Sequence, residues 1–103
     1  MTRLGDDVVD NFGHGRKSSV GTTAVQLVTA STPATRGVLL RAAADNSGTV
    51  YVGNSSSVTA DSADATDGMP LAAGDSLLVK VDDASKVYVI ASATGQKVFF
   101  LTV

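Results

Sequence analysis

The sequence predicts an all-β fold, a small antiparallel β-sandwich or barrel of about seven strands with an extended N-terminal arm. Three observations carry this expectation. From Thr23 onward apolar residues recur with period two, the spacing of strands with one buried face. The breaks between runs are written in Gly, Pro, Asn, Asp and Ser, which supply turn geometry. All ten acidic residues are Asp. Glu, a principal residue of helix surfaces, is missing, while Asp prefers turns and loop starts.

A chain of 103 residues has room for one domain and one modest core. Eight Lys and Arg stand against ten Asp, for a formal net charge of -2. A weakly acidic chain without basic runs is a poor collector of phosphates, so nucleic acid is not an expected partner. Cysteine is absent, which excludes disulfides and thiolate metal sites. No apolar run approaches the ~20 residues of a membrane span or the core of a signal peptide, so the expectation is a soluble protein made in the cytoplasm, with no membrane partner.

Residues 1–22 read as an arm and residues 23–103 as the β domain. Within the arm Leu4, Val8, Val9 and Phe12 are scattered among charged and small residues. Gly5, Gly13 and Gly15 bracket them and oppose a long regular element. The arm is expected either to lack order in isolation or to order on a neighbouring subunit.

The first strand is expected over residues 24–29, with Val25 and Leu27 on one face. A loop through Pro33 leads to residues 37–43, which set Val38, Leu40 and Ala42 against Leu39, Arg41 and Ala43. Residues 44–48 read as a hairpin turn, because Asn and Gly tolerate tight reversal, into a strand that places Val50 with Val52. Residues 54–68 form a long polar stretch, the expected exposed tip, relieved by Val58, where a short strand is expected. Met69, Pro70 and Leu71 return the chain as an apolar plug. Three more strands follow, with Leu77, Val79 and Val81, then Val87, Val89 and Ala91, then Val98 and Phe100 facing inward.

Several strands carry apolar residues on the other face too: Leu39, Leu78, Ile90, Phe99, Leu101 and Val103. A two-sheet sandwich buries one face per sheet, so these residues need further cover, and contact between subunits is the expected cover. A fold-back of the arm over them, or registers displaced by one residue, are the alternatives.

Catalytic chemistry is not expected. His14, the single histidine, lies between glycines in the arm, where no packed neighbours hold a general base in place. Asp61, Asp64 and Asp67 recur every third residue, whereas calcium loops alternate their ligands around an obligatory glycine. They read as solvated carboxylates of the exposed loop, together with Asn54. Gly95-Gln96-Lys97 leads into a strand where a phosphate loop requires a helix. Tyr51 and Tyr88 read as cross-strand packing partners. No cofactor and no metal are expected.

Four motifs occur in order: Gly37-Val-Leu-Leu-Arg-Ala, Asp45-Asn-Ser-Gly-Thr-Val-Tyr-Val-Gly53, Met69-Pro-Leu-Ala-Ala-Gly-Asp-Ser-Leu77 and Val87-Tyr-Val-Ile-Ala-Ser-Ala-Thr-Gly95. This pattern resembles small β-sandwich capsid decoration (cement) and head-fibre-base proteins of tailed bacteriophages, over residues 22–103. The resemblance implies a virion structural protein on the outer capsid surface between capsomers, partnered by the major capsid protein. It implies a homo-oligomer, with a trimer favoured. In that reading Leu4, Val8, Val9, Phe12, Arg16 and Lys17 form a capsid-docking arm. The alternative is a carbohydrate- or receptor-binding β module that uses the loop at 54–67.

Overall fold

Period-two patterning folds into two packed sheets because each strand has one apolar face to bury. The computed structural model describes residues 12–60 and 64–103. Among them eight strands form: β1 (His14–Val20), β2 (Val25–Gln26), β3 (Val38–Ala42), β4 (Val50–Gly53), β5 (Met69–Leu71), β6 (Ser76–Val79), β7 (Tyr88–Ala91) and β8 (Gln96–Thr102). A 3-10 turn at Ala84–Lys86 precedes β7. One four-stranded sheet runs β1-β8-β3-β6 and the other β2-β7-β4-β5. The fold is therefore a sandwich and not a closed barrel.

The pairing is nested. β1 pairs with β8, β2 with β7, β3 with β6 and β4 with β5, all antiparallel. Lateral pairs β3–β8 and β4–β7 complete the sheets. The chain is thus a long antiparallel ribbon wrapped over itself, the strand order of a jelly roll. Every connection except β4–β5 carries the chain from one sheet to the other.

Val38, Leu40 and Ala42 of β3 and Val98 and Phe100 of β8 face Val50 and Val52 of β4 and Val89 and Ala91 of β7 in a single buried cluster. Leu27, Leu71 and Val87 close its ends. Each buried aliphatic side chain of this kind contributes about 1.5–3 kcal/mol of transfer free energy. The inward faces are those the alternation predicts.

Four expectations are corrected. Residues 44–49 are not a hairpin: β3 and β4 lie in different sheets, so this stretch is a corner between them. The Asn46 side chain replaces the missing strand partner, donating from Nδ2 to the Lys97 carbonyl and accepting from the Lys97 N–H at Oδ1, both at 2.9 Å. Next to it Gln96 is buried with its amide fully used. Its Oε1 accepts from the Gly48 N–H (2.9 Å), and its Nε2 donates to Ser47 Oγ (3.1 Å) and the Thr94 carbonyl (2.7 Å). Turn-forming residues serve a tight reversal and a sheet-to-sheet corner alike, so composition did not separate the two.

The second correction concerns the arm. Residues 14–20 form β1, the edge strand of the first sheet, and Val20 is fully buried. Gly15 does not break the strand, because the Phe100 ring covers it: a Cβ there would stand 2.7 Å from Phe100 Cζ. A bulge between Lys17 and Val20, with Ser19 at φ 57°, turns Val20 inward. Third, Met69–Leu71 is a strand and not a plug. Pro70 is tolerated because β5 is a sheet edge. Fourth, no strand forms at Val58; a single bridge joins Thr59 to Asp67.

Replacing Gln96 by Leu keeps the volume and strips three hydrogen bonds from the corner, leaving the Gly48 N–H and the Thr94 carbonyl without this partner. The expected loss is about 1–3 kcal/mol, read as a lower midpoint in urea unfolding with an unchanged slope.

Candidate functional site

The outer face of the first sheet is built by strand register. His14 lies opposite Leu101, Leu101 opposite Leu39, and Leu39 opposite Leu78, which makes one row across all four strands. The neighbouring row is Arg16, Phe99, Arg41 and Ser76. Side chains two apart on a strand share a face, so both rows point away from the core. Phe99 is 45%, Leu78 44% and Leu39 37% exposed, and Leu101 is half-buried. Leu39, Phe99 and Leu101, together with His14 and Arg41, line a shallow concavity of about 370 Å³.

This face is therefore apolar along one row and mixed apolar and cationic along the next. Arg16 and Arg41 flank Phe99 from the two neighbouring strands. Arg41 Nε donates to the Gly74 carbonyl at 3.3 Å, and Lys97, further along β8, is paired with Asp45 at 2.9 Å. Lys97 holds the Asp45 carboxyl below its ordinary range, through their hydrogen bond first and their charge second.

Four of the six residues expected at an interface, Leu39, Leu78, Phe99 and Leu101, come together here. Ile90 does not. It lies on the other sheet, opposite Tyr51, and is only 7% exposed. Thr22, Thr59 and Ala60 wall the hollow above it, so the chain itself supplies the cover that a second subunit was expected to give. Val103 is half-buried at the end of the first sheet. Its carbonyl accepts from the Arg36 and Gly37 N–H groups (2.6 and 3.2 Å), and its N–H donates to the Gly37 carbonyl (2.9 Å).

Of the expected docking arm, Leu4, Val8 and Val9 lie outside the described residues. Phe12 is exposed beside Ser31, Thr32 and Pro33. Arg16 and Lys17 belong to β1, with Arg16 opposite Phe99 and Lys17 opposite Val98, and so are parts of a sheet and not of a free arm.

The long loop is anchored. Val58, expected at an exposed tip, is 7% exposed and packs onto Gly53, where a Cβ would come within 2.5 Å of it. Glycine on the outer face of β4 thus makes the seat for the loop. Thr59 Oγ1 donates to Asp67 Oδ1 (2.6 Å) and stands 2.9 Å from Thr66 Oγ1. Asn54 and Asp64 are exposed, Asp67 is half-buried, and Asp61 lies outside the described residues. A hollow of about 380 Å³ beneath the loop is lined by Asn54, Ser55, Ser57, Thr66, Asp67 and Met69 among others. Among the described residues no three His, Asp or Glu side chains gather as a metal site, and no helix is long and apolar enough to cross a membrane.

Asp83, which sequence reasoning passed over, is a strongly perturbed acid. It accepts from Ser31 Oγ (2.6 Å), the Thr32 N–H (2.8 Å) and the Ser85 N–H (2.9 Å), and so clamps the β2–β3 connection to the β6–β7 connection. These bonds, Ser31 foremost, hold its carboxyl well below the usual carboxylate range. No protein-family model matches the chain, and neither curated proteins nor solved structures give a match.

Asp83 is a carboxyl with a depressed folded-state pKa. Its stabilising effect is present above the unfolded-state value of ~3.9 and is lost as pH falls through the folded value. Asp83→Asn is therefore expected to lower Tm at neutral pH, with the gap to the unsubstituted protein narrowing below about pH 4, as measured by thermal unfolding monitored by circular dichroism.

Proposed function

We propose that this protein is a virion structural protein, a capsid decoration or cement protein that self-associates and binds the outer surface of a phage head, with the major capsid protein as its partner. The observation that carries the proposal is the outer face of the β1-β8-β3-β6 sheet, where Leu39, Leu78 and Phe99 stand exposed on a sandwich whose core is already complete. A contiguous apolar face on a soluble domain is a surface for association. The motif resemblance supplies the kind of assembly. Jelly-roll sandwiches occur in both capsid and lectin domains, so the fold agrees with the reading without selecting it.

A head-surface protein needs many modest contacts repeated over a lattice, because avidity multiplies weak single attachments. A shallow sheet face that pairs an apolar row with Arg16 and Arg41 beside Phe99 suits that use. No group in the proposal performs chemistry. The trimer is the assembly favoured by the resemblance.

A carbohydrate- or receptor-binding module is the second reading, and the hollow beneath the 54–67 loop favours it. Against it, the Ser55 and Ser57 hydroxyls lie 2.7 Å apart and the Thr59, Thr66 and Asp67 side chains bond among themselves, which occupies groups a sugar would need.

Phe99→Ser combined with Leu39→Ser removes apolar surface without touching the core. The expected outcome is a retained fold by circular dichroism and a smaller particle by light scattering at micromolar concentration; a mass identical to the unsubstituted protein's would refute association through this face. For the virion reading, the purified protein is expected to co-sediment with empty capsids of its phage. Failure to pellet with them, alongside glycan binding lost on deletion of residues 55–66, would establish the second reading instead.

A further inference from the structure

We propose that β6 is an open sheet edge that pairs antiparallel with β6 of a second copy of this chain about a two-fold axis at Leu78, joining two four-stranded sheets into one. The proposal deepens the self-association reading above and is independent of the virion reading. It concerns the rim of the sheet and not its outer face.

A sheet edge presents unpaired N–H and C=O groups to any further strand, so proteins blunt their edges with proline, bulges, charge or brevity. Among the described residues, three of the four edge strands carry such a device. β5 contains Pro70, β2 is two residues long, and β1 carries Arg16 and Lys17 and then a bulge with Ser19 at φ 57°. β6 reads Ser-Leu-Leu-Val, without proline or charge, and its register with β3 is unbroken from Ser76 to Val79.

The ladder on the occupied side of β6 decides which backbone groups are left over. The Ala42 N–H donates to the Asp75 carbonyl at 3.0 Å, continuing the β3–β6 register as a hydrogen-bonded pair. Such pairs alternate with non-bonded ones along an antiparallel ladder. Leu77 and Val79, opposite Leu40 and Val38, therefore turn their main chain toward β3, and Ser76 and Leu78 turn theirs outward. The β3–β8 ladder has the matching phase: Gly37 exchanges hydrogen bonds with Val103 at 3.2 and 2.9 Å, which sets Leu39, two residues on, to bond β8 and not β6.

A strand that pairs with its own copy must match itself when read backward. With the axis at Leu78, the partner's Leu78 lies opposite Leu78, the partner's Val79 opposite Leu77, and the partner's Lys80 opposite Ser76. Apolar meets apolar, and no like charges face each other. Moving the axis to Leu77 or to Val79 would instead set Leu78 against Ser76 or against Lys80. Leu77 and Val79 pack against the core while only partly buried, so the pairing extends each core toward the other. A foreign peptide would bring a strand but no second core. The chain turns just after β6, where the Val81 N–H donates to the Val79 carbonyl at 3.0 Å, so the contact is short. Being two-fold, it does not close a trimer and is separate from any three-fold contact.

Amide hydrogen exchange of the full chain, followed by NMR over a concentration series whose oligomeric state is read by light scattering, tests the pairing. The Leu78 amide is expected to slow several-fold as dimers form, while the Leu77 and Val79 amides, bonded to β3, stay slow at every concentration. Leu78→Lys and Leu78→Glu are each expected to be monomeric with an unchanged circular dichroism spectrum. Their equimolar mixture is expected to dimerise, because opposite charges then meet across the axis. An oligomer whose Leu78 amide exchanges as fast as in the dilute monomer would overturn the edge pairing and leave association through another surface standing. A monomer at every concentration would overturn both. A mixture that stays monomeric would overturn the axis at Leu78.

Discussion

The structure depends on polar side chains that let one antiparallel ribbon cross between two sheets. A strand that leaves its sheet abandons its ladder, and the freed backbone groups must find partners. At the β3–β4 corner Asn46 takes the place of a strand against Lys97, and the Gln96 amide holds Ser47, Gly48 and Thr94 together. At the β2–β3 and β6–β7 corners Asp83 does the equivalent with Ser31, Thr32 and Ser85. With the corners fixed, the apolar faces of both sheets meet; without them the same strands have no reason to prefer this wrapping over a flat meander.

The two outer faces receive different treatment. Over the β2-β7-β4-β5 sheet the chain returns upon itself: Val58 seats on Gly53, and Thr59 and Ala60 wall the hollow above Ile90. Over the β1-β8-β3-β6 sheet no described segment returns, and Phe99, Leu78 and Leu39 remain in contact with water. That asymmetry gives the molecule a finished side and an unfinished one. It is on that uncovered apolar side that the proposed association rests.

The proposed function rests on this surface and calls on no reactive group. The strongly perturbed acid, Asp83, owes its low pKa to structural hydrogen bonds in a corner, as structural networks also perturb acids outside active sites. The polar residues of the long loop are spent largely on holding the loop closed. The proposed assembly role on a phage head would give the exposed sheet a use and ask for no chemistry from the rest.

Alternation along the chain determined by itself which residues face inward: Val38, Leu40, Ala42, Val87, Val89, Ala91, Val98 and Phe100 are buried as their period requires, because a strand's geometry leaves only two faces to choose from. It also marked Leu39, Leu78, Phe99 and Leu101 as apolar residues in excess of one core. Sheet membership was decided only in three dimensions. Asp45, Asn46, Ser47 and Gly48 suit a hairpin and a corner equally, and the choice was made by Lys97 and Gln96, about fifty residues further on. Gly15 likewise reads locally as a breaker, and only the Phe100 ring lying across it makes it part of β1. Ile90 and Leu39 look alike in the sequence; a loop closing over one and not the other is what separates a covered residue from an exposed one.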